Sequence, residues 1–203
     1  MLSIDPAGQS DRDNYKLLIG SIVPRPIALV TTLSPVGVLN AAPFSYFNIV
    51  SSRPPMLSVS VQRRQGEPKD TARHAMAAGE FVVHVTDTSY LEKMNQTAAN
   101  LPPEASEVEL AGLTSVPSEV VAVPGLAEAR IRMECVLEQS LALGVAGETP
   151  TTDLLLGRIV RFHIDAELYH EGRIDIARLD PVSRLAGSDY ARLGEVISLP
   201  RPD

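Results

Sequence analysis

Two long segments of alternating apolar and polar residues, 127–143 and 154–165, most constrain the fold of this chain. They are joined by Val-Ala-Gly-Glu-Thr-Pro-Thr-Thr (145–152), a Gly- and Pro-containing loop that is typical of a β-hairpin. Alternation places the apolar side chains on one face of a strand, so each segment predicts a long strand with one buried face. We therefore expect a large antiparallel hairpin in the second half of the chain.

Shorter strand-like runs in the first half also follow one another as hairpins. Residues 56–61 are the clearest run, because apolar residues alternate there with two serines. A tight turn at 34–37 joins the runs 27–32 and 38–42, and residues 80–86 form a further run. Since these strands do not alternate with helices, we expect a mainly β fold: a closed or nearly closed antiparallel barrel with a few covering helices.

Capping and stop signals predict three covering helices. Their expected limits are residues 13–20, capped by Asp11 or Asp13; residues 70–79, capped by Asp70 or Thr71; and residues 89–100.

The length of 203 residues suits one domain, and neither a linker nor an internal repeat divides the chain. We expect a single domain over residues 1–203, with residues 1–11 as a loose arm. Hydrophobic residues make up 44% of the chain, which excludes disorder. The polar N-terminus lacks the pattern of a signal sequence and no apolar run is as long as a membrane span, so a cytoplasmic protein is expected.

Charge and motif content exclude several classes of function. The formal net charge of −7 disfavours nucleic-acid binding, which needs a basic face. The single cysteine, Cys135, excludes an internal disulfide and a cysteine-rich metal site. The chain lacks the dinucleotide-binding fingerprint, the P-loop, the H-E-x-x-H zinc motif and the G-x-S-x-G nucleophile motif. Its histidines lack metal-ligand spacing, so we predict no metal site.

Three basic residues in an acidic chain form a candidate anion site. Arg63, Arg64 and Lys69 come just before a predicted helix start, where free N–H groups favour a phosphate. Thr71 adds a hydroxyl, and Ser58 and Ser60 of the preceding strand could contribute theirs. Asp70 argues against this interpretation, because its carboxylate could cap the same N–H groups. A solvated loop with an ordinary capping residue is the alternative.

The segment Asn40–Ser45 (Asn-Ala-Ala-Pro-Phe-Ser) is apolar but interrupted by Pro43, which has no backbone donor. Its remaining N–H and C=O groups cannot all join a regular ladder, so they are available to bind the edge of a planar heterocycle. An edge strand that bends at Pro43 explains the pattern equally well.

Eight blocks in a fixed order resemble the flavin reductase-like proteins of the FMN-binding split-barrel superfamily, with the flavoredoxin-like branch the most similar. Together they span most of the chain, and N-A-A-P-F-S followed by P-P and K-D-T is the specific part. The blocks are PRPIALVTT (24–32), G-x-x-N-A-A-P-F-S-Y-F-N (37–48), RPPMLSVSV (53–61), KDT (69–71), EFVVHV (80–85), AGLT (111–114), EC (134–135) and DPVSRLAGSDY (180–190).

The resemblance implies a six-stranded Greek-key split barrel that forms a homodimer, with FMN, or FAD as the alternative, in a groove near the interface. Asn40–Ser45 would lie along the flavin, and Lys69 and Thr71 would complete a phosphate pocket. No residue is assigned a catalytic role, because the flavin carries the chemistry. The implied cofactor-binding residues are Arg25, Asn40, Ala41, Ala42, Pro43, Phe44, Ser45, Ser58, Ser60, Arg63, Lys69, Thr71, Arg184, Gly187 and Tyr190.

The chain departs from the family pattern at three positions. His74 and His84 stand where many relatives have Asn, and Ala186 stands where many have Gly. The methyl group of Ala186 would restrict the backbone beside the ring. These departures affect the expected redox partner and substrate more than flavin binding.

The resemblance implies an oxidoreductase that transfers hydride from NADH or NADPH to flavin N5. Reduced flavin would serve a monooxygenase or another acceptor. Two alternatives stay open: a flavoredoxin-like protein that retains FMN and passes electrons to a protein partner, and a flavin carrier or sensor without catalytic reduction. Oxidation of a small amine or phosphorylated vitamer, as in other split barrels, ranks lower because residues for a second phosphate are not evident.

Overall fold

The structure is a computed structural model and describes residues 1–202. Its α-helices are α1 (Asp11–Ser21), α2 (Asp70–Ala78), α3 (Leu91–Gln96), α4 (Glu107–Leu110) and α5 (Ile176–Leu179). Its strands are β1 (Arg25–Pro26), β2 (Ala28–Leu33), β3 (Leu39–Phe44), β4 (Phe47–Ser52), β5 (Pro55–Gln62), β6 (Glu80–Val85), β7 (Ser115–Val116), β8 (Gly125–Leu126), β9 (Ile131–Leu143), β10 (Thr152–Ile164), β11 (Tyr169–His170), β12 (Arg173–Ile174), β13 (Val182–Arg184) and β14 (Tyr190–Arg192).

The expected mainly β split-barrel architecture is confirmed. Within residues 1–202, the main sheet has seven strands in the order β3-β2-β6-β9-β10-β5-β4, where six were expected. Neighbouring strands are antiparallel, and the predicted hairpin appears as the long β9–β10 pair, which runs from Ile131–Ile164 to Leu143–Thr152. The additional strand is β4, which sequence patterning missed because most of its residues are exposed and do not alternate.

The sheet closes into a barrel at one corner. Strands β3 and β4 lie at opposite ends of the strand order, yet only Ser45 and Tyr46 separate them in sequence. The sheet must therefore curl until its two edges come close at this corner, although within residues 1–202 β3 and β4 do not pair and the edge of β3 stays free. The Ser60 backbone N–H of β5 donates to the Tyr46 carbonyl at 2.8 Å, which fastens this corner to the sheet.

The barrel interior holds the main core. Leu57, Val59 and Val61 of β5 point inward and are almost fully buried, as their alternation predicted. Phe81 packs over Gly157, where an added Cβ would lie only 2.4 Å from the Phe81 ring. Helix α2 packs on the same cluster, and α3 and α4 cover a second cluster on the outer face of β2 and β3.

Two predicted helix caps were wrong. Ser10, not Asp11 or Asp13, caps α1, and its hydroxyl accepts from the Asp13 N–H at 3.2 Å. Lys69 occupies the N-cap position of α2, where no side chain caps the first turn. The predicted helix at 89–100 is a short 3-10 turn followed by α3. Across the described residues, no helix is long and apolar enough to cross a membrane.

Candidate functional site

Three adjoining cavities follow the corner between β3 and β4. The basic cavity, of about 160 Å³, is lined by Arg25, Ser45, Lys69 and Arg184 among others. The mixed cavity, of about 390 Å³, shares Pro43, Phe44 and Lys69 with it and extends along the start of α2. The apolar cavity, of about 370 Å³, shares Arg25, Ser45, Tyr46 and Ser60 with the basic cavity and lies against α1. Together they form a continuous groove.

The charge of the basic cavity is opposite to that of the chain as a whole. Arg25, Lys69 and Arg184 line it, and its lining within residues 1–202 contains no carboxylate. The formal net charge of the chain is −7. Such a cluster raises the local potential and favours an anionic ligand.

Lys69 is placed to act together with the start of α2. It is exposed, lines both the basic and the mixed cavity, and precedes the first helical residue. Asp70, the adjacent carboxylate, is paired with Arg73 instead. The uncapped N–H groups of α2 and the Lys69 ammonium together provide a typical phosphate-binding arrangement.

Arg63 is engaged elsewhere. Its guanidinium forms a bidentate ion pair with Asp153, with N–O distances of 2.7 and 3.0 Å, and donates to the Gly66 carbonyl at 3.2 Å. Arg64, its neighbour, lines the mixed cavity. Of the two arginines in the predicted anion site, Arg64 therefore lines the groove, whereas Arg63 is held by Asp153.

A buried hydrogen-bond network ties β3 to α2 and α4. The Asn40 carbonyl oxygen accepts from the hydroxyls of Thr71 at 3.1 Å and Thr32 at 3.2 Å. The Asn40 amide donates to Glu107 Oε2 at 2.8 Å, and the Ala41 N–H donates to the same oxygen at 3.3 Å. Asn40 and Thr71 thus shape the wall of the mixed cavity. Sequence analysis missed Glu107, since a glutamate in a short helix gives no distinctive signal.

Arg25 links separate segments of the chain in the wall of the groove. Its guanidinium donates to the carbonyls of Ile19 at 2.8 Å, Ile22 at 2.6 Å and Leu185 at 2.8 Å. Its Nε lies 3.5 Å from the Ser45 hydroxyl. Arg25 is only 6% exposed, so it fixes the end of α1 and the segment after β13 against the barrel.

The β13–β14 hairpin forms the opposite wall. The Arg184 guanidinium stacks on the Tyr190 ring, 4.5 Å from its centroid, and donates to the Gly187 carbonyl. The Tyr190 hydroxyl donates to the Asn95 side chain at 2.8 Å. Gly187 has a φ of +61°, which favours glycine. The left-handed position of this turn is therefore Gly187, whereas Ala186 is in ordinary backbone.

Tyr46 is a groove residue that sequence analysis did not select. It lines both the basic and the apolar cavity. Its hydroxyl is buried and has no hydrogen-bond partner within the part of the chain that the structure describes. Burial raises the pKa of this phenol above its ordinary value. An unsatisfied buried hydroxyl is costly, so this group is available to a ligand.

The structure brings twelve of the fifteen predicted site residues to the groove. Ala41 instead points into the core, Arg63 faces Asp153, and Tyr190 lies behind Arg184. The residues that line the cavities are Arg25, Asn40, Ala42, Pro43, Phe44, Ser45, Ser58, Ser60, Lys69, Thr71, Arg184 and Gly187.

The histidines that depart from the family pattern lie outside the groove. His84 is fully buried, with its Nδ1 2.9 Å from the Leu29 carbonyl and its Nε2 accepting from the Leu126 N–H at 2.9 Å. Burial lowers its pKa to about 4, which keeps the ring neutral. His74 is also buried, on α2. No cluster of His, Cys, Asp or Glu suited to a metal ion occurs in residues 1–202.

This chain is similar to one family model and to several solved structures. Residues 19–178 match the model of the flavin reductase-like domain. Nitrilotriacetate monooxygenase component B from Bacillus cereus is 59% identical, covers 98% of each chain and superposes with a TM-score of 0.97. The 2-nitrobenzoate 2-nitroreductase NbaA from Pseudomonas fluorescens is 31% identical over 99% of this chain and 96% of its own, with a TM-score of 0.89.

Flavoredoxin from Desulfovibrio vulgaris (Miyazaki F) is 23% identical over 88% of this chain and 91% of its own, with a TM-score of 0.74, and shares the fold. The resemblance deduced from the sequence blocks is thereby confirmed. The chain belongs to the flavin reductase-like domain family.

Proposed function

We propose that this protein is an FMN-binding oxidoreductase that uses NADH or NADPH to reduce flavin. One observation carries the proposal. In a chain of net charge −7, a cavity lined by cations and by no carboxylate lies at the uncapped start of α2. The free edge of strand β3 lies beside it. Family membership and the neighbours named a monooxygenase component B and a nitroreductase support redox chemistry on a flavin.

The residues of the groove suit the parts of FMN. Lys69 and the first turn of α2 would hold the phosphate. Strand β3 is an edge strand, and the Ala41 N–H points away from β2 to Glu107. Since backbone groups alternate between the two sides of a strand, those of Ala41 and Pro43 form the free side, and their carbonyls would bind the polar edge of the ring system. Pro43 therefore fits both earlier interpretations, since the edge strand itself forms the binding wall. When bound, FMN supplies a ring that accepts hydride at N5.

The apolar cavity suits the reductant. It is lined by Leu18 of α1, by Ile22 directly after this helix, and by Pro26 and Phe47. It joins the basic cavity at Tyr46. A nicotinamide ring entering here would be shielded from water by these side chains. The buried Tyr46 hydroxyl would donate a hydrogen bond to an acceptor in the groove.

We further propose a homodimer whose interface includes an apolar groove of about 590 Å³. Phe47, Met56, Phe162 and Val182 line it, and Ile49 is 80% exposed at its edge. Exposed apolar patches of this kind indicate protein interfaces. The groove shares Phe47 with the apolar cavity, so a second copy would lie beside the cofactor site. Residues 1–203 would act as one domain.

The relationship to a monooxygenase component B supports a monooxygenase as the acceptor of reduced flavin. A protein that retains FMN and passes electrons to a protein acceptor would differ in the ratio of its FMN dissociation rate to its turnover rate. Dissociation at least as fast as turnover supports flavin supply, and much slower dissociation supports electron transfer with retained FMN.

The decisive experiment is anaerobic addition of NADH or NADPH to the protein loaded with FMN. We expect one or both to bleach the visible absorbance of the oxidised flavin at a catalytic rate. Flavin that binds but stays oxidised with both reductants would leave a carrier or sensor as the function. Protein that does not bind FMN would overturn the proposal altogether.

A further inference from the structure

A further cavity, of about 520 Å³, lies outside the groove. It shares no lining residue with the three groove cavities, and it is formed where the loop between β8 and β9 faces the open end of the β9–β10 hairpin. Its volume is in the range of small-molecule sites. We call it the arginine cavity, and its lining residues are Ala127, Ala129, Arg130, Arg132, Phe162, His163, Ile164 and Asp165.

Arg132 brings an unpaired positive charge to this cavity. It is half-buried, and within residues 1–202 its guanidinium makes no ion pair and donates one hydrogen bond, to the Leu126 carbonyl at 3.3 Å. Its side chain lies against Gly125, where an added Cβ would come within 3.0 Å of the Arg132 Cδ. This close contact holds the stem of the side chain in place, so most of the guanidinium N–H groups stay available to an anion.

The other charged groups of the arginine cavity already have partners. Arg130 donates to Asp165 at 2.9 Å and to the Arg178 carbonyl at 2.7 Å. Hydrogen bonds from the Glu167 N–H and from Arg130 lower the pKa of Asp165 below its ordinary value, so this carboxylate stays ionised and paired. Since Arg130 and Asp165 compensate each other, Arg132 makes the lining positive overall.

His163 lies beside Arg132 and is held by a buried carboxylate. The two residues are opposite each other in the β9–β10 pairing, so their side chains share one face of the sheet. His163 Nε2 lies 2.5 Å from Glu134 Oε1. Burial opposes the ionisation of Glu134, but hydrogen bonds from three backbone N–H groups and from His163 outweigh it and lower the pKa of Glu134 to about 2. Because an ionised carboxylate can only accept, the proton of the neutral imidazole lies on Nε2.

The Nδ1 atom of His163 therefore keeps a free lone pair. It has no hydrogen-bond partner within residues 1–202 and is not among the fully buried unsatisfied atoms, so a ligand can reach it. The adjacent Phe162 is 50% exposed, and its ring borders both this cavity and the apolar groove of the proposed dimer interface. The cavity thus combines a guanidinium, a hydrogen-bond acceptor and an aromatic surface.

We propose that the arginine cavity binds a small aromatic carboxylic acid that also carries a hydroxyl group. The carboxylate pairs with Arg132, the hydroxyl donates to His163 Nδ1, and the ring lies against Phe162. One unpaired cation suits a single negative charge, whereas Asp165 at the wall would repel a doubly charged phosphate. The site does not overlap the groove, so this acid and a flavin would bind at the same time.

Calorimetric titration with 3-hydroxybenzoate, benzoate and benzamide, with and without FMN, tests the proposal. We expect 3-hydroxybenzoate to bind with a Kd of about 0.1–1 mM, and benzoate, which lacks the hydroxyl, to bind about threefold to tenfold more weakly. Benzamide has the same shape without the charge, so it should not bind measurably. FMN should leave the affinity for both acids unchanged.

Three variants locate the acid. Arg132→Gln should weaken both acids about tenfold or more. His163→Gln retains a donor for Glu134 but lacks the ring nitrogen, so it should remove the advantage of the hydroxyl group. Ala127 is exposed at the rim, and Ala127→Trp should block the cavity without disturbing the core. Arg12→Gln, at an exposed arginine of α1, is the control for lost charge.

Each other result would count against the proposal. Binding that persists in both Arg132→Gln and Ala127→Trp would place the acid elsewhere on the protein, and displacement by FMN would place it in the groove. No binding of either acid up to about 10 mM, or equal binding of benzamide, would also overturn the proposal. Equal affinities of wild type for the two acids would remove the contact with His163. The flavin function is tested separately, because none of these results depends on whether FMN binds or is reduced.

Discussion

The basic and mixed cavities meet at Lys69 but are built in opposite ways. In the basic cavity the arginines are held by backbone carbonyls: Arg25 by three of them, and Arg184 by Gly187. In the mixed cavity the anchored charge is a carboxylate, Glu107, held by an amide and an N–H. Hydrogen bonds thus hold positive charge in place in the basic cavity and negative charge in place in the mixed cavity. The comparison shows that a strongly acidic chain can present a few fixed cations in one cavity, because the charge that faces a ligand is local and differs from the net charge.

The two cavities should differ most in how stability and FMN affinity respond to one new carboxylate in each. Asn40→Asp would set a carboxylate against Glu107 and remove the amide donor from a buried network. We expect the free energy of unfolding to fall by about 2–4 kcal/mol at neutral pH, measured by urea denaturation. Ser45→Asp would leave stability nearly unchanged but weaken FMN about tenfold through repulsion. Equal loss of stability in both variants would show that the two walls do not differ as described.

Lys69→Ala removes the cation that both cavities share. We expect FMN affinity to fall about 10- to 100-fold, equivalent to roughly 1.5–3 kcal/mol, with little change for riboflavin, which lacks the phosphate. Fluorescence titration of both ligands measures the effect. Lys93→Ala, whose ammonium pairs with Glu128 away from the groove, is the charge-matched control. A similar loss for riboflavin would remove Lys69 from the phosphate site.

Exchanging lysine and arginine at positions 69 and 25 tests whether each position of the basic cavity needs only a positive charge or also the hydrogen bonds of a guanidinium. Lys69→Arg should retain most FMN affinity, because a point charge suffices there. Arg25→Lys should lose carbonyl contacts that only the forked guanidinium can make together, and cost about 1–2 kcal/mol of stability. Faster amide exchange over α1 would accompany this loss. Unchanged exchange in α1 would show that Arg25 does not hold the helix.

Tyr46→Phe should give the smallest effect, and in the stabilising direction. The variant removes a buried hydroxyl without a partner, so we expect the flavin-free protein to gain about 0.5–1 kcal/mol and to melt at a higher temperature. The gain should shrink or reverse in the presence of flavin and reductant, if a ligand satisfies the hydroxyl. A loss of stability without ligand would mean that the hydroxyl already has a partner in solution.

The sequence predicted those features that depend on local patterns. Alternation at 56–61 correctly identified which side chains of β5 enter the core, and the motif blocks correctly identified the family. Which of Arg63 and Arg64 is free to face the groove depends on long-range contacts instead. The partner of Arg63, Asp153, is 90 residues away on another strand, so no local pattern could reveal which arginine remains available.

Two other features were beyond local patterns for similar reasons. Glu107 lies in a short helix and becomes important only because the fold brings it to Asn40, 67 residues earlier in the chain. Strand β4 lacks alternation, and it forms because the corner at Ser45 and Tyr46 delivers it to the edge of β5. In both cases tertiary pairing overrides weak local preference.

The corner of Ser45 and Tyr46 has a consequence for the life of the protein in a cell. It is the seam at which the two edges of the sheet come close, and it also borders two of the cavities. A ligand in the groove would therefore hold the seam shut, and binding free energy would add directly to resistance against unfolding. Molecules without cofactor would open more often at this seam and be degraded sooner. The amount of this protein that a cell maintains would then follow its supply of flavin.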